Sequence, residues 1–151
     1  MFVMAMTFQA LSSENFAWRA TNVMGAENVD LGKQLGADAI GARLWRMRPG
    51  QASLRHRHRD QEELYILLEG EGRMRVDGQL LMLSPLSAVL VTVDAVRQLF
   101  NDTAADQVWM VVGAPRERFI IAQLTHAERL HLYPDGLEAL PPELETGEPP
   151  T

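Results

Sequence analysis

Two histidines and a glutamate lie close together in the stretch Gly50 to Gly70, which reads GQASLRHRHRDQEELYILLEG. In an extended strand, alternate side chains point to the same face, so His56 and His58 should project together. After a polar turn, Glu63 opens a second apolar segment and can face the same pocket across a hairpin. Two imidazoles and one carboxylate are a donor set that suits a divalent transition metal.

The segments around this stretch have the pattern of short β-strands joined by turns. Strands are predicted at 16–20, 40–47, 52–58, 63–68, 73–76, 80–83, 88–93, 97–100 and 107–112. The dipeptide Asp77-Gly78 is typical of a type I′ hairpin. Residues 22–39 are predicted to form a loop with one helical turn near Leu31 to Leu35. This regular spacing predicts an all-β barrel or sandwich and argues against a parallel α/β fold.

The character of the chain changes after Pro115. Residues 122–132 are predicted to form a short amphipathic helix. The tail from Tyr133 to Thr151 holds five of the eight prolines, so it should lie over the surface or be partly disordered. The sequence therefore divides into an N-terminal extension (1–39), a barrel (40–115) and a C-terminal extension (116–151).

Composition limits the classes of partner. A chain of 151 residues is expected to form a single domain. Its formal net charge of −6 disfavours nucleic acid or an anionic membrane as the main partner. The chain has no cysteine, which excludes disulfides, thiolate metal sites and a cysteine nucleophile. The opening MFVMAMTF is too short to span a membrane and lacks a basic region, so we expect a cytoplasmic protein.

The spacing of the central stretch resembles the first motif of the cupin superfamily. That motif runs glycine, five residues, histidine, one, histidine, three or four, glutamate, six, glycine. Gly50, His56, His58, Glu63 and Gly70 occupy every position. The resemblance implies a small antiparallel double-stranded β-helix, or jelly-roll barrel, with a metal inside. His56, His58 and Glu63 would then be ligands of Fe, Mn, Ni, Cu or Zn.

The second cupin motif is altered in this chain. Similar proteins have a proline-glycine pair, two residues, a histidine, three residues and an asparagine. Asn101 is in place, but Arg97 stands in the histidine position. Val93 and Asp94 replace the proline-glycine pair, and Leu86 stands where an earlier glycine is usual. The fourth protein ligand is therefore missing.

Arg97 limits how a metal could be held. A guanidinium about 5 Å from a dication is repelled by roughly 7 kcal/mol at an effective dielectric of about 20. Three arrangements remain. An anionic substrate group could lie between the metal and Arg97, which would clamp it. Without a metal, Arg97 could pair with Glu63. Alternatively, Arg97 could turn outward and leave His56, His58 and Glu63 as an open facial triad completed by waters.

Two functions follow from this reading. The first is a metal-dependent dioxygenase or isomerase acting on a small oxygen-rich or anionic substrate, with Arg97 orienting the anion and Tyr65 as a proton donor. The second is a non-catalytic module that binds or senses a small anion or sugar, which the altered second motif favours. Because similar small cupins commonly pair, we also expect a homodimer formed through edge strands and exchanged terminal segments.

Overall fold

The computed structural model of the chain describes residues 7–20 and 25–145. Within them, nine strands form two antiparallel sheets, as predicted for an all-β barrel. The strands are β1 (Arg19–Ala20), β2 (Glu27–Asp30), β3 (Gly41–Met47), β4 (Glu62–Glu69), β5 (Gly72–Val76), β6 (Gln79–Leu83), β7 (Ala88–Val91), β8 (Arg97–Phe100) and β9 (Gln107–Ala114). The helices are α1 (Leu31–Gln34), α2 (His126–Leu132) and α3 (Pro142–Glu145), with 3-10 turns at Ser13–Asn15 and Ile121–Gln123.

The larger sheet places the glutamate of the central stretch in its interior. Its strand order is β1-β2-β3-β9-β4-β7, and the smaller sheet has the order β6-β5-β8. Strand β4 pairs with both β9 and β7, so Glu63 lies between Gly113 and Val91. Alternation along β4 turns Glu63, Tyr65 and Leu67 inward, and all three are buried. The sheet therefore holds the carboxylate on a paired strand rather than on a loop.

Apolar side chains from both sheets fill the space between them. Trp109 and Leu67 of the larger sheet pack in the same core as Met74 and Leu99 of the smaller one. The motif glycine Gly70 is required by the backbone at the end of β4. Its φ is +85°, and a Cβ there would lie 2.4 Å from the carbonyl oxygen of Asp106. Only glycine fits this turn.

Two segments differ from the sequence prediction. Residues 27–30, predicted as loop, form β2, which pairs with β3. Its sequence, ENVD, lacks apolar alternation, and tertiary pairing rather than propensity makes it a strand. The predicted strand at 52–58 is an extended segment with isolated bridges at Ala52 and His56 rather than a continuous strand. It lies antiparallel beside β8 and forms bridges with it at these two residues.

The C-terminal extension packs on the barrel over its described length. Helix α2 begins at His126, later than predicted, because Thr125 caps it and forms a capping box with Glu128. Leu132 and Tyr133 are buried. The apolar start of the chain (1–6) and the end of the proline-rich tail (146–151) lie outside the described residues. None of the helices in the described part of the chain has the length and apolar character needed to span a bilayer.

Candidate metal centre

The three predicted ligands meet at one point inside the barrel. One potential ligand atom from each of His56, His58 and Glu63 lies within 4.8 Å of the other two. Nε2 of His58 is 3.1 Å from Oε2 of Glu63, and Nε2 of His56 is 3.9 Å from the same oxygen. The predicted convergence of two imidazoles and one carboxylate is therefore present in the fold.

Backbone hydrogen bonds hold the histidine segment in register. His56 and Arg97 exchange both backbone bonds, at 3.0 and 2.8 Å. The amide of Arg57 donates to the carbonyl of Leu132, and the amide of His58 donates to the carbonyl of Val93. The segment thus stays extended although it is not a full strand, and the alternation that brings both histidines to one side is kept.

Each histidine has its Nδ1 occupied by a hydrogen-bond partner. Nδ1 of His56 lies 2.9 Å from the carbonyl oxygen of Leu54, so the nitrogen donates to it. Nδ1 of His58 lies 3.0 Å from a carboxylate oxygen of Glu117. A proton fixed on Nδ1 leaves Nε2 of both rings as the free donor atom for a ligand. Nε2 of His58 is buried, and its nearest polar neighbour is Oε2 of Glu63 at 3.1 Å, without the geometry of a hydrogen bond. The donor set therefore fits a divalent transition metal.

Two neighbouring side chains orient the carboxylate of Glu63. Nε2 of Gln61 donates to Oε1 at 3.0 Å, and the hydroxyl of Tyr65 donates to Oε2 at 2.5 Å. Gln61 also accepts from the backbone amide of Glu117 at 3.0 Å. A Cβ on Gly113 would lie 2.5 Å from the Gln61 side chain, so the glycine of β9 makes room for it. Gln61 thereby links the ligand Glu63 to the outer carboxylate Glu117.

Glu117 is the main residue that sequence reasoning missed. Its second oxygen accepts from three consecutive backbone amides, those of Arg59, Asp60 and Gln61. Burial opposes ionisation, but these amides and the His58 ring lower the pKa of Glu117. The residue follows the last core strand, and nothing in its local sequence signals a role. Its position becomes evident only when the turn after His58 folds around it.

Burial and mutual contacts set the ionisation of the residues in the cluster. Burial lowers the pKa of His56 to about 4, so this ring is neutral. Burial also acts against the charged form of Glu63, but the His58 and His56 rings lower the pKa of its carboxyl. For His58, burial is outweighed by Glu63 and Glu117, which raise the pKa of the ring. Burial raises the pKa of Tyr65, which therefore keeps its proton.

Arg97 lies beside the carboxylate of Glu63. It is fully buried, and its Nε is 3.8 Å from Oε2 of Glu63. Its Nη2 donates to the carbonyl of Thr92 at 3.0 Å, whereas its Nε and Nη1 have no hydrogen-bond partner. Of the three expected arrangements, this geometry corresponds most closely to pairing with Glu63. Arg97 is not among the residues that line the cavity described below, and its role toward an anion stays a prediction.

A cavity of about 280 Å³ opens beside the cluster. His56, Glu63 and Tyr65 contribute to its wall, as the sequence predicted for Tyr65. The C-terminal extension supplies part of the opposite lining through Phe119 and Tyr133. The Tyr133 ring lies 6.4 Å from the His56 ring, and burial raises the pKa of Tyr133 to about 12. The cavity is thus completed by residues outside the barrel strands.

The arginines that alternate with the histidines contact the C-terminal extension. Arg55 pairs with Asp135 at 2.5 Å, and Arg59 pairs with Glu128 at 3.1 Å. In the sequence, the acidic neighbours Asp60, Glu62 and Glu63 favour a solvated outer face for these arginines. The opposite face of the histidine segment instead anchors the extension, because acidic residues of that extension lie within reach of both guanidinium groups.

Comparisons with known proteins agree with the fold and the motif. A cupin domain family model matches residues 43–113. A sugar phosphate isomerase of the cupin superfamily from Silicibacter pomeroyi is 27% identical, with a TM-score of 0.65 over 72% of this chain and 76% of that chain. A cupin protein from Bacteroides fragilis is 18% identical, with a TM-score of 0.62 over 80% of this chain and 98% of its own.

A third similar structure is the polyketide cyclase RemF from Streptomyces resistomycificus. It is 15% identical, with a TM-score of 0.64 over 73% of this chain and 81% of that chain. A search among curated proteins found no match. The family match covers both the histidine segment and Arg97, and the fold agrees with it independently. Residues 43–113 therefore match the cupin domain family, and the chain has the fold of similar cupin structures.

Proposed function

We propose that the protein is a metal-dependent enzyme of the isomerase or dioxygenase kind that acts on a small oxygen-rich, anionic substrate. The observation that carries the proposal is the convergence of His56, His58 and Glu63 beside a cavity of about 280 Å³. A buried donor set that opens on a cavity of this size is typical of a catalytic site rather than of a structural ion pair.

Residues around the cluster support this reading because they fix its ligand atoms. A divalent metal held by His56, His58 and Glu63 would polarise a substrate oxygen. Glu117 and the carbonyl of Leu54 keep the two Nε2 atoms directed at one point. The apolar side chains of Trp45 and Phe119 line the cavity and would limit the access of water to a bound substrate.

The hydroxyls of two tyrosines could hold or deliver protons in such a reaction. Tyr65 donates to Glu63 and lines the cavity, which is consistent with its predicted role as a proton donor. Tyr133 lines the same cavity and also keeps its proton at neutral pH. Isomerisation requires a polarised oxygen and groups that hold or deliver protons. The resemblance to a protein described as a sugar phosphate isomerase also favours isomerisation over dioxygenase chemistry.

A second candidate is a non-catalytic module that binds or senses a small anion or sugar. Arg97 favours it, because this buried cation occupies the fourth-ligand position and lies 3.8 Å from Glu63. Its positive charge lowers the affinity of the site for a dication relative to a site with a fourth neutral ligand.

Metal content tests the proposal first. The protein purified without chelator should contain about one divalent metal ion per chain, measured by elemental analysis. His58→Ala and Glu63→Gln should each remove most of it, whereas the control His126→Ala, on the exposed start of α2, should retain it. Absence of metal from the wild-type protein, after attempted reconstitution with Fe, Mn, Ni, Cu and Zn, would contradict the proposal.

Turnover separates the enzyme from the binding module. The metal-loaded protein should interconvert small aldose and ketose phosphates or consume oxygen with diols or β-dicarbonyls, and Glu63→Gln should abolish the activity. Stoichiometric metal without turnover on any of these compounds would favour the binding module.

A further inference from the structure

A positively charged groove lies next to the cavity. It is lined by five cationic side chains, Arg19, Lys33, Arg43, Arg116 and Arg118. Three acidic side chains line it as well, those of Asp30, Asp38 and Glu117. The chain as a whole carries a formal charge of −6, so an excess of cations at this one place is a local departure from the overall charge. A groove of this kind raises the local concentration of anions.

Arg43 and Arg116 line both the groove and the cavity, as do Asp30, Glu117 and Phe119. Because the two spaces share these residues, the groove and the cavity adjoin at them. Glu117 at this junction also contacts His58 at 3.0 Å. A ligand group bound at the junction would therefore lie beside the cavity that holds the candidate metal centre.

The two guanidinium groups converge on one carboxylate of the chain. Nη2 of Arg43 lies 3.1 Å from Oδ2 of Asp30, and Nη2 of Arg116 lies 4.0 Å from Oδ1. Nη1 of Arg116 donates to the carbonyl of Ala37 at 2.7 Å, which fixes this guanidinium in place. The Arg43 side chain remains 47% exposed, so it keeps donors that Asp30 does not use.

We propose that Arg43 and Arg116 form an anion subsite that binds the phosphate-like oxyanion group of the substrate at the mouth of the cavity. This inference rests on the proposed function, because it assumes that the same cavity holds the rest of the substrate. It assigns substrate recognition to residues at the mouth, away from Arg97. Planar guanidinium groups bind tetrahedral oxyanions through pairs of charge-assisted hydrogen bonds, and two such groups suit a doubly charged phosphate monoester.

Binding of inorganic phosphate to the metal-free protein tests the subsite independently of the metal centre. Isothermal titration should detect binding to the wild type, and Arg43→Met and Arg116→Met should each weaken it by about tenfold or more. The matched control Arg48→Met removes an arginine that is 59% exposed and pairs with Glu27, away from the groove, and should bind as the wild type does. Thermal unfolding checks that each variant is folded.

Asp30→Asn provides a test with the opposite sign. Asparagine keeps the side-chain acceptor that caps α1 but removes the charge that competes for Arg43. Phosphate affinity should rise by about fivefold. The inference is overturned if the wild type does not bind phosphate, if both arginine variants bind it normally, or if Asp30→Asn fails to strengthen binding. It is also overturned if Glu63→Gln abolishes phosphate binding to the metal-free protein, because the anion would then be bound at the histidine cluster.

Failure of the proposed function gives a different pattern. If no metal binds, elemental analysis shows it, while phosphate binding to the wild type and its loss in Arg43→Met persist. If only the subsite is wrong, metal content and turnover of the substrate persist while the arginine variants behave as the wild type does. The two proposals therefore fail separately.

Discussion

At the level of single residues, the chemistry of the two histidines depends on what contacts their Nδ1 atoms. A carbonyl oxygen fixes His56 and a carboxylate fixes His58, so both present Nε2 to the same point. Glu117 does more than orient His58. Its other oxygen accepts hydrogen bonds from the backbone amides of residues 59–61, which form the turn before β4 and Glu63. One carboxylate thus positions two of the three candidate ligands.

Glu117→Gln should weaken metal binding by about 10-fold to 100-fold. The glutamine oxygen can still accept from the backbone amides, but its NH2 group would face Nδ1 of His58 as a donor. The ring would then favour the other tautomer, with its proton on Nε2, where it blocks the metal. Competition with a metal-binding dye measures the affinity. Glu62→Gln, at the exposed start of β4, is the control and should leave the affinity unchanged. Equal affinity in Glu117→Gln and the wild type would show that Glu117 does not hold the tautomer.

Leu86 has an unfavourable backbone conformation that glycine would relieve. Its φ is +70°, and it stands where similar cupins have a glycine. The side chain is 79% exposed, so little packing is lost when it is removed. The left-handed conformation destabilises the folded state by about 1–2 kcal/mol for a residue other than glycine. Glycine avoids this cost, but its greater freedom in the unfolded state lowers stability by about 0.5–1 kcal/mol. Leu86→Gly should therefore stabilise the protein by roughly 0.5–1 kcal/mol in denaturant unfolding. Leu86→Ala keeps the unfavourable backbone and should show no such gain.

At the level of secondary-structure elements, periodicity and turn residues predicted most of the strands but not how they are joined. Asp77-Gly78 and Gly70 mark turns whose positive φ values require such residues, so β4, β5 and β6 could be placed from sequence. Strand β2 has no apolar alternation to reveal it, and it forms because β3 offers a free edge. The wall contributed by the C-terminal extension likewise depends on long-range pairs that sequence spacing does not encode.

The candidate site likewise contains residues that the sequence predicts and residues that only the structure identifies. His56, His58, Glu63 and Tyr65 were predicted because a local motif and strand alternation place them. Glu117 and Tyr133 contact them from the C-terminal extension, 59 and 77 residues beyond His58 and His56. Tertiary folding alone brings such residues together, and neither carries a local signature. The sequence therefore predicted that the candidate ligands converge, whereas the residues that orient them required the structure.

The junction of β2 and α1 should make stability sensitive to acid. Asp30 is buried, which opposes ionisation, but its bond from the Lys33 amide and its pairing with Arg43 lower the pKa of its carboxyl below the usual 3.8. Since the folded state binds this proton less readily than the unfolded state, the stabilisation is present above that value and is lost as the pH falls below it. Asp30→Asn should cost roughly 0.5 kcal/mol at pH 7.

Denaturant unfolding between pH 7 and pH 2.5 measures this contribution. The difference in unfolding free energy between the wild type and Asp30→Asn should shrink toward zero at the acid end, because protonated aspartate and asparagine are both neutral. A difference that stays constant with pH would contradict the electrostatic origin.

At the level of the whole molecule, the two faces of the larger sheet have different roles. The inner face carries Glu63 and Tyr65, whereas the outer face has an apolar row that crosses four strands. Paired residues form one continuous row on that outer face, Ala42, Val112, Leu64 and Leu90. Leu64 is 37% exposed and Leu90 is 60% exposed. An antiparallel sheet with one face in water normally alternates apolar and polar residues, and an apolar outer face is typical of an interaction surface.

A homodimer that pairs through this face, rather than through the edge strands and terminal segments expected from the sequence, would cover the apolar row. A second copy offers the same apolar row, so a two-fold axis across the sheet would bury both rows against each other. The double variant Leu64→Glu/Leu90→Glu places charges in that contact, and we expect it to be a monomer at concentrations where the wild type sediments at twice the mass of the chain. Leu130→Glu changes a leucine of α2 that is 54% exposed, and this control should remain dimeric. The interface is wrong if the double variant stays dimeric, and the homodimer itself is wrong if the wild type sediments as a monomer. Because the row lies on the reverse side of the strand that carries Glu63, a folded monomeric variant should keep its metal.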